Sequence, residues 1–68
     1  MAHSVFSYED EKIKLVIDKD IVGYYLIVYQ DPKSTISSAD YLLDTLDEAF
    51  EAAQKKFGIS KEQWKSLR

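Results

Sequence analysis

The sequence predicts an α+β domain: an antiparallel three- to four-stranded sheet, packed on one face by a C-terminal helix at about 46–57, with a short terminal helix at about 61–67. Three observations carry this. Roughly the first forty residues alternate apolar and polar side chains, as strands do. Roughly the last twenty-five carry the helical 3.6 period. The stretch "DPKS", 31–34, punctuates the strand half with a strong turn signal. Strands followed by helices, without βαβ alternation, imply antiparallel pairing.

Length sets the scale. With 68 residues, the chain is a single small α+β domain with a thin core, because short chains bury a smaller share of their surface. Composition is that of a folded protein: 46% hydrophobic, 31% charged, 13% aromatic. There is no cysteine, so stability rests on packing, with no disulfide and no thiolate chemistry. A net charge of −3 argues against a nonspecific nucleic-acid binder, which carries a basic patch. No apolar run approaches the roughly 20 residues of a membrane span. The start "MAHSVFSYED" lacks the basic-then-apolar pattern of a signal peptide. The expectation is a cytoplasmic protein.

The elements follow in order. "VFSY", 5–8, suits a short strand before the polar "EDEK" turn. "KIKLVID", 12–18, alternates: Ile13, Leu15 and Ile17 share one face, with Lys12, Lys14 and Asp18 on the other and Val16 among them. "IVGYYLIVYQ", 21–30, is apolar on both faces and rich in β-branched and aromatic residues, which marks a central strand. A two-residue loop at Lys19-Asp20 joins the two. That register sets Ile17 against Val22, Leu15 against Tyr24 and Ile13 against Leu26, with Val28 extending the same face. The opposite face then holds Lys12, Lys14, Val16, Ile21, Gly23, Tyr25, Ile27 and Tyr29. In the turn, Pro32 fixes φ and has no N–H for a central ladder. "STISSADYLL", 34–43, returns as a third, edge strand.

The helix is the most complete signal. Thr45 with Glu48 three residues later forms a capping box. Leu46, Ala49, Phe50, Ala53 and Phe57 recur at three- and four-residue steps as one apolar stripe. Glu51 and Lys55 form an i,i+4 pair. Gly58 supplies the left-handed stop, and Ile59 folds back on the last turn. Ser60 and Gln63 repeat the capping pattern, and the short helix that follows presents Leu67 and Trp64, which closes the core. Acids gather at 40–51 and bases at 55–68, as the helix dipole favours.

Candidate sites are few. His3 is the only histidine; with no second histidine and no cysteine, neither a zinc site nor a positioned base is expected. Asp44, Asp47, Glu48 and Glu51 fall at i, i+3, i+4 and i+7, an acidic stripe if Asp44 continues the helix. A straight stripe splays its oxygens, so it suits a basic protein partner better than a hard cation. Tyr24, Tyr25, Tyr29 and Tyr41 are candidates for an aromatic surface, half of them serving as core. Tyr25, Ile27, Tyr29 and Val16 would make an apolar patch on the side of the sheet away from the helix, the kind that marks interfaces. Lys12, Lys14 and Lys33 offer the alternative of a nucleic-acid-associated sheet face. No phosphate loop, framed nucleophile or paired carboxylate is present, so no enzyme, cofactor or metal is expected.

The segment "DYLLDTLDEAFEAAQKKFGISKEQW", 40–64, preceded by "GYYLIVY", resembles a group of small uncharacterised bacterial proteins. Their second half reads Asp-x-Leu-x-Asp-Thr-Leu-acid-x-Ala, then Phe-Gly-Ile/Val-x4-Trp. The matching positions are Asp40, Leu42, Asp44, Thr45, Leu46, Asp47, Ala49, Phe57, Gly58, Ile59 and Trp64. The group has no assigned activity, so the resemblance implies a fold and no function. Size and acidity suggest a non-enzymatic protein-interaction module, of the kind that serves as a small partner or immunity-like protein. Its binding surface is expected on the open sheet face, used for a protein partner or for self-association, or on the acidic stripe.

Overall fold

A computed structural model of the chain describes residues 3–67. Five strands form one antiparallel sheet in the order β4-β3-β2-β1-β5. They are β1 (His3–Glu9), β2 (Lys14–Asp20), β3 (Gly23–Tyr29), β4 (Ala39–Leu43) and β5 (Lys65–Ser66); one helix, α1 (Leu46–Phe57), packs on one side. The α+β class, the antiparallel sheet and the helix span agree with the sequence reading. The strand count is five among the described residues, more than the expected three or four.

The central hairpin differs in register. The sequence suggested a loop at Lys19-Asp20, but the turn falls at Ile21-Val22. Asp20 pairs with Gly23, Ile17 with Leu26 and Leu15 with Val28. This register lets all seven residues of each strand pair. The offset from expectation is four residues, an even number, so the side chains that remain within the two paired strands keep their predicted faces. Leu15, Ile17 and Leu26 are fully buried, and Val28 almost so. Val22, expected inside, lies instead at the exposed tip beside Ile21, which is 92% exposed. No residue other than glycine has positive φ among the described residues, so the turn is neither of the primed types that need it at a central position. Gly23, just after the turn, takes φ 143°.

Two other strands shift their bounds. β2 begins at Lys14, so Lys12 lies in the preceding turn, where its N–H donates to Asp10 Oδ1 at 2.7 Å. β4 begins at Ala39. Residues 34–38 are loop, tied down where the Ser38 N–H meets the Val28 carbonyl and Ser38 Oγ accepts from Gln30. The turn at 31–34 forms as expected: the Ser34 N–H donates to the Asp31 carbonyl, and the Lys33 N–H to Asp31 Oδ1.

β1 carries a bulge at Val5, since Ser4 opposes Asp18 while Phe6 opposes Ile17. The extra residue lets neighbours Val5 and Phe6 both reach the core.

Helix α1 starts where its cap dictates. Thr45 is extended at φ −130°, and its hydroxyl accepts from the Glu48 N–H at 3.2 Å. The reciprocal half of the box differs: Glu48 Oε1 accepts from the Thr45 hydroxyl at 3.3 Å. Thr45→Ala is expected to destabilise the domain by about 0.5–2 kcal/mol, read as a lower urea midpoint with an unchanged slope. Gly58, at φ 71°, ends the helix, and Ile59 folds back so that its N–H approaches the Ala53 carbonyl.

The second helix is shorter than expected. Lys61–Gln63 form a single 3-10 turn, with the Ser60 N–H donating to Gln63 Oε1. Trp64 is already extended, and Lys65–Ser66 pair with β1 as β5. A strand forms here because the β1 edge offers free backbone partners, as in the bond from the Leu67 N–H to the Val5 carbonyl. Trp64 is buried as predicted. Arg68, counted with the basic end of the sequence, lies outside the described residues.

The core sits between α1 and one face of the sheet. Phe50 is its hub, with ring centroids 5.1 Å from Phe6 and 5.7 Å from Trp64, both edge-on. Lys61 Nζ covers the Phe50 ring at 5.5 Å.

Candidate functional site: the open face of the sheet

Helix α1, the Trp64 segment and the core all lie on one side of the sheet. Among the described residues, no helix covers the other side. Strand alternation and register define what it presents. The row Leu42–Tyr25–Asp18–Ser4 crosses β4 to β1. Next comes Asp40–Ile27–Val16–Ser7–Lys65, crossing all five strands. The last row is Tyr29–Lys14–Glu9. Tyr25, Ile27, Tyr29 and Val16 therefore share one surface, as the sequence predicted, and each is half-buried among its neighbours.

Leu42 joins this patch at 53% exposure. Sequence reading missed it as a surface residue. The signal was the alternation in "ADYLL": Ala39, Tyr41 and Leu43 pair with the core-facing Val28, Leu26 and Tyr24, leaving Asp40 and Leu42 outward. Leu42 is also held close to the backbone of Gly23, where a Cβ would contact its Cδ1.

Charges on the face are mixed. Lys14 Nζ lies 5.6 Å from the centroid of the Tyr29 ring, a cation–π contact of modest strength. Asp18 Oδ1 accepts from the Ser4 hydroxyl at 2.8 Å. Asp18, Asp40 and Glu9 stand against Lys14 and Lys65.

Tyr24 keeps the core side that the alternation gave it, and Tyr41 joins it there. Both face the helix side and pack against the core. Lys56 Nζ covers Tyr41 at 4.9 Å.

The acidic stripe is less coherent. Thr45 is extended, so Asp44 precedes the helix rather than continuing it. Asp47, Glu48 and Glu51 are exposed on α1. Glu48 is engaged by the Thr45 hydroxyl, and Glu51 pairs with Lys55 at 2.9 Å. Lys55 and Lys56 line the same shallow depression as Glu48 and Glu51, so the surface is mixed in sign. His3 is exposed at the start of β1, opposite Lys19. Among the described residues, no group of three His, Cys, Asp or Glu side chains is placed to hold a metal ion.

Asp10 is a multiply engaged carboxylate. It accepts from the Lys12 and Ile13 N–H groups and from the Tyr8 hydroxyl at 2.8 Å. The Lys12 amide, then the Tyr8 hydroxyl and the Ile13 amide, hold its pKa below the ordinary value of 3.8. Its contribution to stability is complete above that value and is lost as pH falls through the lowered one. Tyr8 is held above its ordinary 10.0, first by donating to Asp10, then by desolvation. That contribution is complete below 10.0 and is lost as pH rises through the raised value. Asp10→Asn is expected to flatten the acid limb of the stability–pH curve, measured by urea unfolding between pH 2 and pH 6. An unchanged limb would remove Asp10 from the account.

What the geometry defines is a small α+β domain whose five-stranded antiparallel sheet has one face backed by a helix and one face open. No family model, curated protein or solved structure matches this chain. Among the described residues, no helix is long and apolar enough to cross a membrane.

Proposed function

We propose that this chain is a non-enzymatic protein-interaction module and that its working surface is the open face of the sheet. The supporting observation is the uncovered patch of Tyr25, Ile27, Tyr29, Val16 and Leu42, contiguous across three adjacent strands. Tyrosines of this kind provide large, rigid contact area and are enriched at interface hot spots. The acidic stripe is the weaker candidate, because its carboxylates are interleaved with Lys55 and Lys56 and Asp44 stands apart.

The nucleic-acid reading loses its footing on this face. Lys12 sits in a turn rather than on the sheet, and the face that carries Lys14 and Lys65 also carries Glu9, Asp18 and Asp40. Phosphate contacts need a basic field.

The test uses Tyr25→Ser and Tyr29→Ser, which leave the buried core untouched. Both variants are expected to keep the wild-type fold by circular dichroism and to lose association with the partner, whether a second protein or another copy. Association unaffected by both substitutions would rule out the sheet face. Binding to mixed DNA at low salt that weakens steeply as salt rises would instead support the nucleic-acid alternative.

A further inference from the structure

We infer that the partner seated on this open face is a second copy of the chain, packed face to face about a two-fold axis that lies midway between the two sheets, parallel to them, and runs across the strands over Val16 and Ile27. The inference rests on the interaction reading above and specifies its occupant.

The argument is one of self-complementarity. Val16 and Ile27 are cross-strand partners in the middle row. On β2, Lys14 lies two residues to one side of Val16 and Asp18 two residues to the other. On β3, Tyr29 and Tyr25 flank Ile27 in the same way. A two-fold axis along the middle row exchanges the outer rows. It lays Asp18 over Lys14 of the second copy and Lys14 over its Asp18. It lays Tyr25 over Tyr29 and Tyr29 over Tyr25, and it closes Val16 and Ile27 on themselves at the centre. A two-fold along the strands sets Lys14 on Lys14 and Asp18 on Asp18 if it runs over β2, and sets Lys14 on Tyr29 and Asp18 on Tyr25 if it runs between β2 and β3. Only the axis across the strands gives each Asp18 a cation of the other copy, and charge favours it on that ground.

The selected arrangement suits sheet packing. Aligned sheets stack about 10 Å apart at about −30°, with interdigitated side chains. Two tyrosines, or a lysine and an aspartate reaching from opposite sides, span such a gap. Residues two places from the axis lie about 6.7 Å along the strand, so a −30° rotation displaces them by about 3.4 Å, less than one strand spacing. The same axis brings Asp40 to Asp40 and Lys65 to Lys65. Both are exposed rim positions on outer strands, where sheet twist splays the faces and water screens the charge.

The area is that of a weak interface. The three rows hold four, five and three residues, and at about 6.7 Å by 4.8 Å per residue they give a face of about 390 Å². Two copies then bury about 770 Å², within the range of weak, transient association. The dimer is accordingly reversible and populated at high concentration.

Sedimentation equilibrium of the full chain, up to millimolar concentration, is the test. The wild type is expected to form a reversible dimer. Asp18→Lys and Lys14→Asp each create like-charge contacts across the axis, and each is expected to weaken the dimer by at least about tenfold. An equimolar mixture of the two variants is expected to dimerise again, because Lys14 of the Asp18→Lys copy then meets Asp18 of the Lys14→Asp copy, and the two introduced side chains meet as opposite charges. A wild type that stays monomeric, single variants that dimerise like wild type, or a mixture that stays monomeric would each overturn the proposal. If either variant fails to fold, amide shifts of the wild type across the concentration series decide. Changes confined to 14–18 and 25–29 support the arrangement, and changes on α1 or none at all refute it. A monomeric wild type that still captures another protein, with capture lost on Tyr25→Ser, would overturn the second copy alone and leave the interaction reading standing.

Discussion

Phe50→Ala is expected to lower the unfolding free energy by about 3–5 kcal/mol, the cost of removing a buried aromatic ring together with the cavity it leaves. The ring is almost fully buried and meets Phe6 and Trp64 edge-on. Such aromatic pairs add to the stabilisation from area alone. The consequence is large because the domain is small. At roughly 0.05–0.15 kcal/mol per residue, a chain of this length holds about 3–10 kcal/mol in total. The variant should be substantially unfolded at 37 °C, and a denaturant series or thermal scan reads it directly. The surroundings have little freedom to collapse into the cavity, since Phe6 is held by the ladder on β1 and Trp64 sits next to β5. A loss below about 1.5 kcal/mol would mean that the core repacks around the gap and that Phe50 is not its hub.

Gly23→Ala is expected to be the next most damaging change, at about 2–3 kcal/mol, for a backbone reason. Gly23 has φ 143°, a conformation that side-chain-bearing residues rarely adopt. A Cβ there would also run into the carbonyl oxygen of Leu43 on β4, closer than such atoms can approach. That oxygen belongs to backbone and has little room to give. Gly58→Ala is the internal comparison. It also has positive φ, at 71°, but nothing lies within 4 Å of the added Cβ. Its expected cost is about 1–2 kcal/mol from conformation alone. A Gly23→Ala variant no worse than Gly58→Ala would show that β4 shifts freely at this end. It would also loosen the placement of Leu42 on the open face, since Leu42 lies against Gly23.

Much of the fold was legible because its determinants are local. The helix bounds follow from Thr45, the apolar stripe and Gly58, all within a few residues of what they control. The two faces of the hairpin follow from strict alternation. The register was not local. Nothing at Lys19-Asp20 or Ile21-Val22 marks one turn over the other, and neither dipeptide is a strong hairpin signal. The choice came from strands that must bury Leu15 and Ile17 opposite Val28 and Leu26 while β4 closes on Gly23. The terminal strand was hidden for a similar reason. "SKEQWKSL" reads as a capped helix, yet only one 3-10 turn forms before the free edge of β1 captures Lys65 and Ser66.

The candidate surface divides in the same way. Sequence placed Tyr25, Ile27, Tyr29 and Val16 together on the face away from the helix, and the register error left that intact because it was even. Sequence could not place Leu42 beside them, nor set Asp18 and Lys14 at equal distances from a central Val16–Ile27 pair that spans two strands. Nor could it separate Asp44 from the helical acids.

By itself, then, the sequence determined the class of fold, the helix with both its ends, and which side chains share a face, since periodicity and capping act over single turns and adjacent residues. The tertiary structure alone decided the hairpin register, the fifth strand and the charge pattern of the open face. Each of these depends on which distant backbone edges and apolar surfaces meet, and no short stretch of chain encodes that meeting.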